Sequence, residues 1–349
     1  MKDNMEGSYA FTEFSNAQQR VYDAATQAYQ AYQEALQQTR AFRGGRHWKR
    51  IKGRDYLYQY HDRYGHGRSL GPRSPHTEEL FAQFRRGKAE AAQGLKDRRR
   101  ELAEQARFCR AALINRLPRV AARILRRLEQ HETRRNFFVI GTAAIYAYEF
   151  ATGVFLESLG PRDLLGDAGR RLTLAGGGMS RDDLLRLLRQ ADRSFAPLPG
   201  DECRAANRDG FLVKILKSEI KRPGKPKTLT VAGAREPLPP EAGNLQYLAA
   251  SPKLTQVVIG KDGEPVTLVV PDPRAFALNR LWLSQQEDRG EDRRARDLGQ
   301  ALAVADLVLR YLPQYDFSSS ELEMFPRELG RSPENGEEIA SIEDGQEIF

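Results

Sequence analysis

The sequence predicts an α+β protein, and three observations carry that reading. A short apolar run, Phe137-Phe138-Val139-Ile140, reads as a buried strand and meets Gly141-Thr142, after which an Ala- and aromatic-rich segment with helical spacing runs to Gly153. Two other stretches carry hairpin patterns. One is Trp48 to Leu70, with alternating apolar and basic residues around a Gly65-His66-Gly67 turn; the other is Thr255 to Val270, around an Asp262-Gly263 turn. Between and beyond these, apolar residues recur at three- and four-residue steps, as amphipathic helices require. At 349 residues the chain can hold two or three domains with cores of their own.

Taken in order, residues 1–14 carry no basic-then-apolar leader pattern and are expected to be disordered. From about Ser15 to Arg43, Tyr22, Ala25, Tyr29, Tyr32 and Leu36 fall on one helix face, with Ser15 as N-cap and Gly44-Gly45 as terminator. That apolar face is thin, so the helix should pack on another part of the chain or on a second copy, making a homo-oligomer through residues 15–43. The first hairpin follows. Trp48, Lys49, Arg50, Lys52, Arg54, Tyr56 and Tyr58 interleave cations with aromatic rings, a composition suited to phosphates and stacked bases; packing of the rings on neighbouring helices is the other reading. His47, His61, His66 and His76 cluster here, but no Cys or carboxylate pattern joins them, which argues against zinc.

Ser74 to Glu79 reads as a helix start with Thr77 as cap, leading to a long helix that reaches Arg116 and is expected to break near Gly94. Pro118 ends it, and another helix spans Val120 to Glu129. After the central stretch, Ser180 caps a helix through Leu184 and Leu188, and Phe211 to Lys217 alternates as a strand. A Lys/Pro/Gly-rich loop, KRPGKPKT, separates that strand from the second hairpin. Two helices, Phe276 to Gln286 and Arg294 to Tyr311, close the ordered part. Residues 314–349 are rich in Ser, Glu and Gly and are expected to be a flexible acidic tail.

Charge sharpens this map. The net formal charge is +8, yet Arg40 to Arg135 is strongly basic and the tail is acidic. A basic half of this kind suits a polyanion, nucleic acid first (a tRNA or DNA), or else an Arg-rich solvated helix surface. No apolar window is long enough to cross a bilayer, so no membrane role is expected. Cys109 and Cys203 lie far apart with no metal-ligand partners nearby, as expected of reduced thiols in a cytoplasmic protein.

Several stretches in this order resemble a bacterial family of nucleotidyltransferase-fold proteins in the polymerase-beta-type superfamily. They are WKRIKGRDYLYQY, GRSLGPRSPHTEELFAQF, FFVIGTAAIYAYEFATGV, DLLGDAGRRLTLA, ADRSF, AANRDGFLV, FALNRLWLSQQ and RRARDLGQA. The resemblance implies a small mixed sheet flanked by helices over residues 136–272, a basic helical and hairpin arm over 15–135, and C-terminal helices over 273–313. It also implies that Gly141 and Thr142 hold triphosphate oxygens, that Lys214, Arg280, Arg294 or Arg296 meets triphosphate charge, and that acids on successive strands bind Mg²⁺ or Mn²⁺.

At those acids the chain departs from the family. Where relatives read D-h-D-L-L-W-D-x-R, this chain reads Pro161-Arg162-Asp163-Leu164-Leu165-Gly166-Asp167. Asp163 takes the place of the second acid and the metal ligand, while Pro161 takes the first. Asp167 would lie roughly 13 Å from Asp163 along a continuing strand, and the two reach one ion only if the segment turns. The third acid falls on Lys214, which could pair with Asp163 in place of a metal, and the relatives' H-K-L is Asn279-Arg280-Leu281. Two functions are therefore expected of the resemblance. One is transfer of a nucleoside monophosphate from an NTP to a nucleic-acid or protein acceptor, with Asp163 and Asp167 as catalytic acids. The other is an inactive relative that binds nucleotide or nucleic acid as a regulatory or partner subunit.

Overall fold

A computed structural model describes residues 9–60, 66–159, 163–198, 201–217, 245–319 and 322. In chain order its elements are β1 (Tyr9–Glu13), α1 (Asn16–Ala41), β2 (Gly45–Ile51), β3 (Arg54–Tyr60), β4 (Gly67–Pro72), α2 (Pro75–Ala111) and α3 (Arg119–Glu129). Then come β5 (Phe137–Ile140), α4 (Ile145–Thr152), β6 (Val154–Ser158), β7 (Arg171–Gly176), α5 (Arg181–Ala191), β8 (Ala196–Leu198), β9 (Asp201–Ala206) and β10 (Leu212–Lys217). The last are α6 (Leu245–Ala250), β11 (Lys253–Ile259), β12 (Pro265–Pro271), α7 (Pro273–Ser284) and α8 (Glu291–Tyr311). The α+β class holds.

The chain divides into two compact units. The first comprises Met1–Gln19, Asn115–Asp262 and Val266–Phe349; the second comprises Arg20–Ile114 with Gly263–Pro265. The boundary thus falls near residue 114, and α3, counted with the basic arm on sequence grounds, belongs to the first unit.

The first unit is organised on a five-stranded mixed sheet in the order β5-β7-β10-β9-β8, in which only β7 and β10 run parallel. Side chains alternate across a strand, so the register sorts this sheet into two faces. Val139, Leu172, Leu174, Val213 and Ile215 share one face and are buried. On the other face, Ile140, Thr173, Lys214 and Arg204 form one row across four strands. Part of that face is covered: Ile140, Ala175 and Leu216 pack with Leu245, Leu248, Ala275 and Leu278 from α6 and α7. The uncovered part is the floor of the site described below.

α4 is buried almost all round, from Ile145 to Phe150, and packs against β11. It encloses a carboxylate. Glu149 is fully buried and is held by Arg116, at 2.7 Å from Nη2 and 3.3 Å from Nε, and by the Leu156 N–H at 2.8 Å. Burial raises its pKa, and the Arg116 guanidinium opposes the rise. α7 begins on a second internal pair, where Asp272 caps the Arg274 N–H and also holds its guanidinium at 2.6 Å. α7 and α8 then pack along each other.

Residues 9–14 differ from the expected disorder. β1 pairs antiparallel with β6, Tyr9 opposite Ser158 through Glu13 opposite Val154. The Phe14 ring packs tilted against Phe155, with ring centroids 4.5 Å apart and an interplanar angle of 37°. Residues 1–8 lie outside the described residues, as do Pro161, His61, the KRPGKPKT loop and most of the tail.

In the second unit, β2, β3 and β4 form a three-stranded antiparallel sheet whose first turn is Lys52-Gly53, where one hairpin about Gly65-His66-Gly67 was expected. One face carries Leu57, which is fully buried, and Trp48, whose ring lies 5.8 Å from Phe81 of α2. α2 is capped by Ser74, with Thr77 three residues on closing a capping box. The expected cap was one turn late. α2 also runs unbroken past Gly94, where a break was expected and where a β-carbon would meet nothing within 4 Å. Tyr22, Ala25, Ala28, Tyr29 and Ala35 of α1 are already buried in the single chain.

Candidate functional site

The site starts where β5 ends. Gly141 adopts φ +75°, which glycine reaches without strain, and it leads into a single 3-10 turn, Thr142–Ala144, ahead of α4. A β-carbon at Gly141 would stand 3.5 Å from Nη2 of Arg280, so this backbone and a guanidinium approach closely. The first N–H groups of a helical segment lack partners within it and carry partial positive charge. A phosphate oxygen suits such a place.

Arg280 comes from α7 and is itself nearly buried. Its Nη1 donates to Asp297 Oδ1 of α8 at 2.6 Å, while its Nε has no hydrogen-bond partner. Asp297, also buried, accepts a second guanidinium from Arg289. One turn along α8, Gln300 is wholly buried and donates to Thr142 Oγ1 at 3.1 Å and to the Leu164 carbonyl at 2.5 Å. α8 thereby fixes both the glycine turn and the arginines beside it.

Around these groups lies an open cleft, lined among others by Gly141, Thr142, Asp167, Arg171, Asn279, Arg280 and Arg289. Three of those side chains are guanidinium cations and one is an acid. That acid is already engaged: Asp167 Oδ2 forms an ion pair with Arg296 Nη1 at 2.7 Å, and its Oδ1 lies 3.9 Å from Arg171 Nη2.

Asp163 and Asp167 do not extend along a strand. Asp163 precedes a 3-10 turn, Gly166–Gly169, that carries Asp167 and then feeds β7. The Asp163 Oδ1 accepts from the Leu165 N–H at 2.9 Å, and its Oδ2 crowds Gly166, where a β-carbon would come within 2.7 Å. Asp163 thus shapes the turn. The expected ion pair between Asp163 and Lys214 is not made among the described residues. Lys214 sits in register with Thr173, on the face that floors the cleft. Arg294 is not among the lining residues, and its buried Nε has no partner.

Residues 119–325 match the protein family described as Nucleotidyltransferase, more than half of the chain. The chain belongs to that family. No curated protein and no solved structure matches it.

A nucleotidyltransferase of this kind is expected to use an NTP with Mg²⁺ or Mn²⁺, so the donor set must be asked whether it fits such an ion. It does not. Hard divalent cations need several carboxylate or carbonyl oxygens converging on one point. Here Asp163 is closing a turn, Asp167 is engaged by arginine, and the row that should supply a third acid offers Lys214 and Arg204. Among the described residues, no three His, Cys, Asp or Glu side chains come together.

The structure therefore brings together Gly141, Thr142, Arg280 and Asp167, with Arg296 joined through Asp167. Sequence reasoning missed Arg171, Arg289, Asp297 and Gln300. The one signal for the last two was polar residues at an i, i+3 spacing on the helix face that continues as Ala301, Val304 and Val308. Of the residues expected to meet nucleic acid, Lys49, Arg54, Tyr56 and Tyr58 share one face of the second unit's sheet and Lys52 sits in its turn. Trp48 and Arg50 do not join them: strand alternation turns both to the opposite face.

Proposed function

We propose that this nucleotidyltransferase-family chain binds a nucleoside triphosphate through fixed cations and does not transfer it. The observation that carries this is the state of Asp167: the acid lining the cleft is gripped by Arg296 and flanked by Arg171, within a wall otherwise supplied by Arg280 and Arg289. Positive charge replaces the metal-binding acids of the resemblance. A polyphosphate would meet the opening N–H groups at Gly141-Thr142, the unsatisfied Nε edge of Arg280, and the arginines across the cleft. Guanidinium–phosphate pairs are charge-assisted and need no bridging ion.

Binding of a fluorescent ATP analogue to the full chain, in EDTA and in Mg²⁺, tests this. Affinity should agree within about threefold between the two conditions. Arg280→Gln should weaken it about 10- to 100-fold, the size of one charged hydrogen bond of about 1.5–3 kcal/mol. Asp297 keeps Arg289 in that variant, so folding should survive and is checked by thermal melting. Metal-dependent label transfer from an α-labelled triphosphate, abolished in Asp163→Asn, would overturn the proposal in favour of an active enzyme.

A further inference from the structure

The second unit's sheet has a face that the nucleotide cleft does not use. Strand alternation puts His47, Lys49 and Ile51 of β2 on it, with Arg54, Tyr56, Tyr58 and Tyr60 of β3. Three tyrosines thus stand in file along one strand. Tyr58 and Tyr60 are stacked, with centroids 6.1 Å apart and an interplanar angle of 24°, and His47 lies 6.0 Å from Tyr60. β4 sets Gly67 and Ser69, both small, opposite Tyr60 and Tyr58, and Pro72 opposite Tyr56, with Leu70 in a bulge between them.

Among the described residues of the sheet, charge on this face has one sign. Lys49 and Arg54 are exposed, Lys52 projects from the β2–β3 turn, and Lys49 Nζ lies 5.5 Å from the Tyr58 ring centroid. Asp55, the acid of β3, is on the opposite face and pairs with Arg73. Half-buried tyrosines in file, edged by cations and, among the described residues of the sheet, without a facing acid, form a surface on which bases can stack while phosphates meet lysine and arginine. Other hydrogen-bonding groups stand among them: the tyrosine hydroxyls, the Ser69 hydroxyl and the His47 imidazole. These suit a ribose 2′-hydroxyl, which both donates and accepts.

We propose that this face binds single-stranded RNA, with bases stacked on Tyr56, Tyr58 and Tyr60 and the backbone along Lys49, Lys52 and Arg54. The sheet is two-sided in function: Trp48 and Leu57 anchor it within the second unit, and the tyrosine face is left for the ligand.

The test is fluorescence anisotropy on the full chain with labelled 12-nucleotide single-stranded RNA, the matching DNA, and an RNA duplex. Single-stranded RNA should bind tightest, with affinity falling as salt rises. Tyr58→Ala should weaken it about 5- to 100-fold, the range for loss of one base-stacking ring. Tyr58→Phe keeps the ring and should bind within a few-fold of the parent, which separates lost stacking from lost folding. Lys49→Ala should weaken binding and flatten its salt dependence. Equal binding of duplex and single strand, DNA bound as tightly as RNA, or parent-like affinity in Tyr58→Ala would each overturn the assignment. Because the nucleotide site is read separately by the ATP analogue, failure of either site leaves the other result standing.

Discussion

Glu149 shows how a single residue can tie a loop to a helix. It is wholly buried in α4, and Arg116, in the stretch before α3, provides the charge that makes its ionised form tolerable. Breaking such a pair from one side strands the other charge, at a cost of about 3–5 kcal/mol for fully buried partners. Arg116 is partly exposed, so the lower end applies, and Arg116→Met should cost about 3 kcal/mol near pH 8. The pH dependence follows from direction alone. Burial already raises the Glu149 pKa, and losing Arg116 removes the group that opposes the rise. The variant therefore holds the proton to higher pH, and once Glu149 is neutral no charge is stranded. Stability of Arg116→Met relative to the parent should recover as pH falls from 8 towards 5, followed by urea unfolding at each pH. A gap that stays constant across that range would mean the loss comes from packing of the guanidinium over the Phe155 ring.

At the scale of elements, the junction of β5 and β7 depends on Gly176. It sits at φ +147° opposite Phe137, and a β-carbon there would fall 2.0 Å from the Asn136 carbonyl oxygen. Backbone cannot swing aside as a side chain can, so Gly176→Ala should push the start of β5 away and cost about 3 kcal/mol. In a thermal melt that is a fall of roughly 6–12 °C. Gly94 is the contrast. It lies in the middle of α2 with nothing within 4 Å, and Gly94→Ala should leave stability unchanged or raise it by up to about 1 kcal/mol. The same distinction explains which elements were legible in the sequence. α5 announces itself through Ser180, and the β11–β12 hairpin through Asp262-Gly263, because these signals are local. β8 and β9 carry no such pattern: Ala196–Leu198 and Asp201–Ala206 become strands only through pairing with each other and with β10. The site divides in the same way. Gly141-Thr142 was readable as a strand, a glycine and a helix start. Asp297 and Gln300 act on it from 156 and 158 residues further on, through packing that no local window contains.

For the whole molecule, the chain's path matters as much as its charge. Residues at the N-terminus belong to the same unit as residues beyond 115, with the entire second unit intervening. The first fourteen residues look dispensable by composition, and removing them would be the natural trimming. The structure predicts otherwise. β1 supplies the partner strand of β6 along five residue pairs, the Phe14 N–H donates to the Gly153 carbonyl at 2.7 Å, and Phe11 meets Tyr311 edge-on at 5.8 Å. A chain beginning at Ser15 loses both phenylalanines and opens the β6 edge to solvent. Phe11 and Phe14 are half-buried, so each is worth less than the ~3–5 kcal/mol of a fully buried Phe. Losing both together with the strand ladder should cost about 4 kcal/mol. An uncovered strand edge also invites pairing between copies. The truncated chain should melt at least about 8 °C lower and scatter light at concentrations where the full chain is clear. Equal melting temperatures would show that β1 merely lies on the surface. A lower melting temperature restored by a peptide spanning residues 9–19 would locate the loss in the β1–β6 pairing and the Phe14 contacts, since such a peptide can supply both.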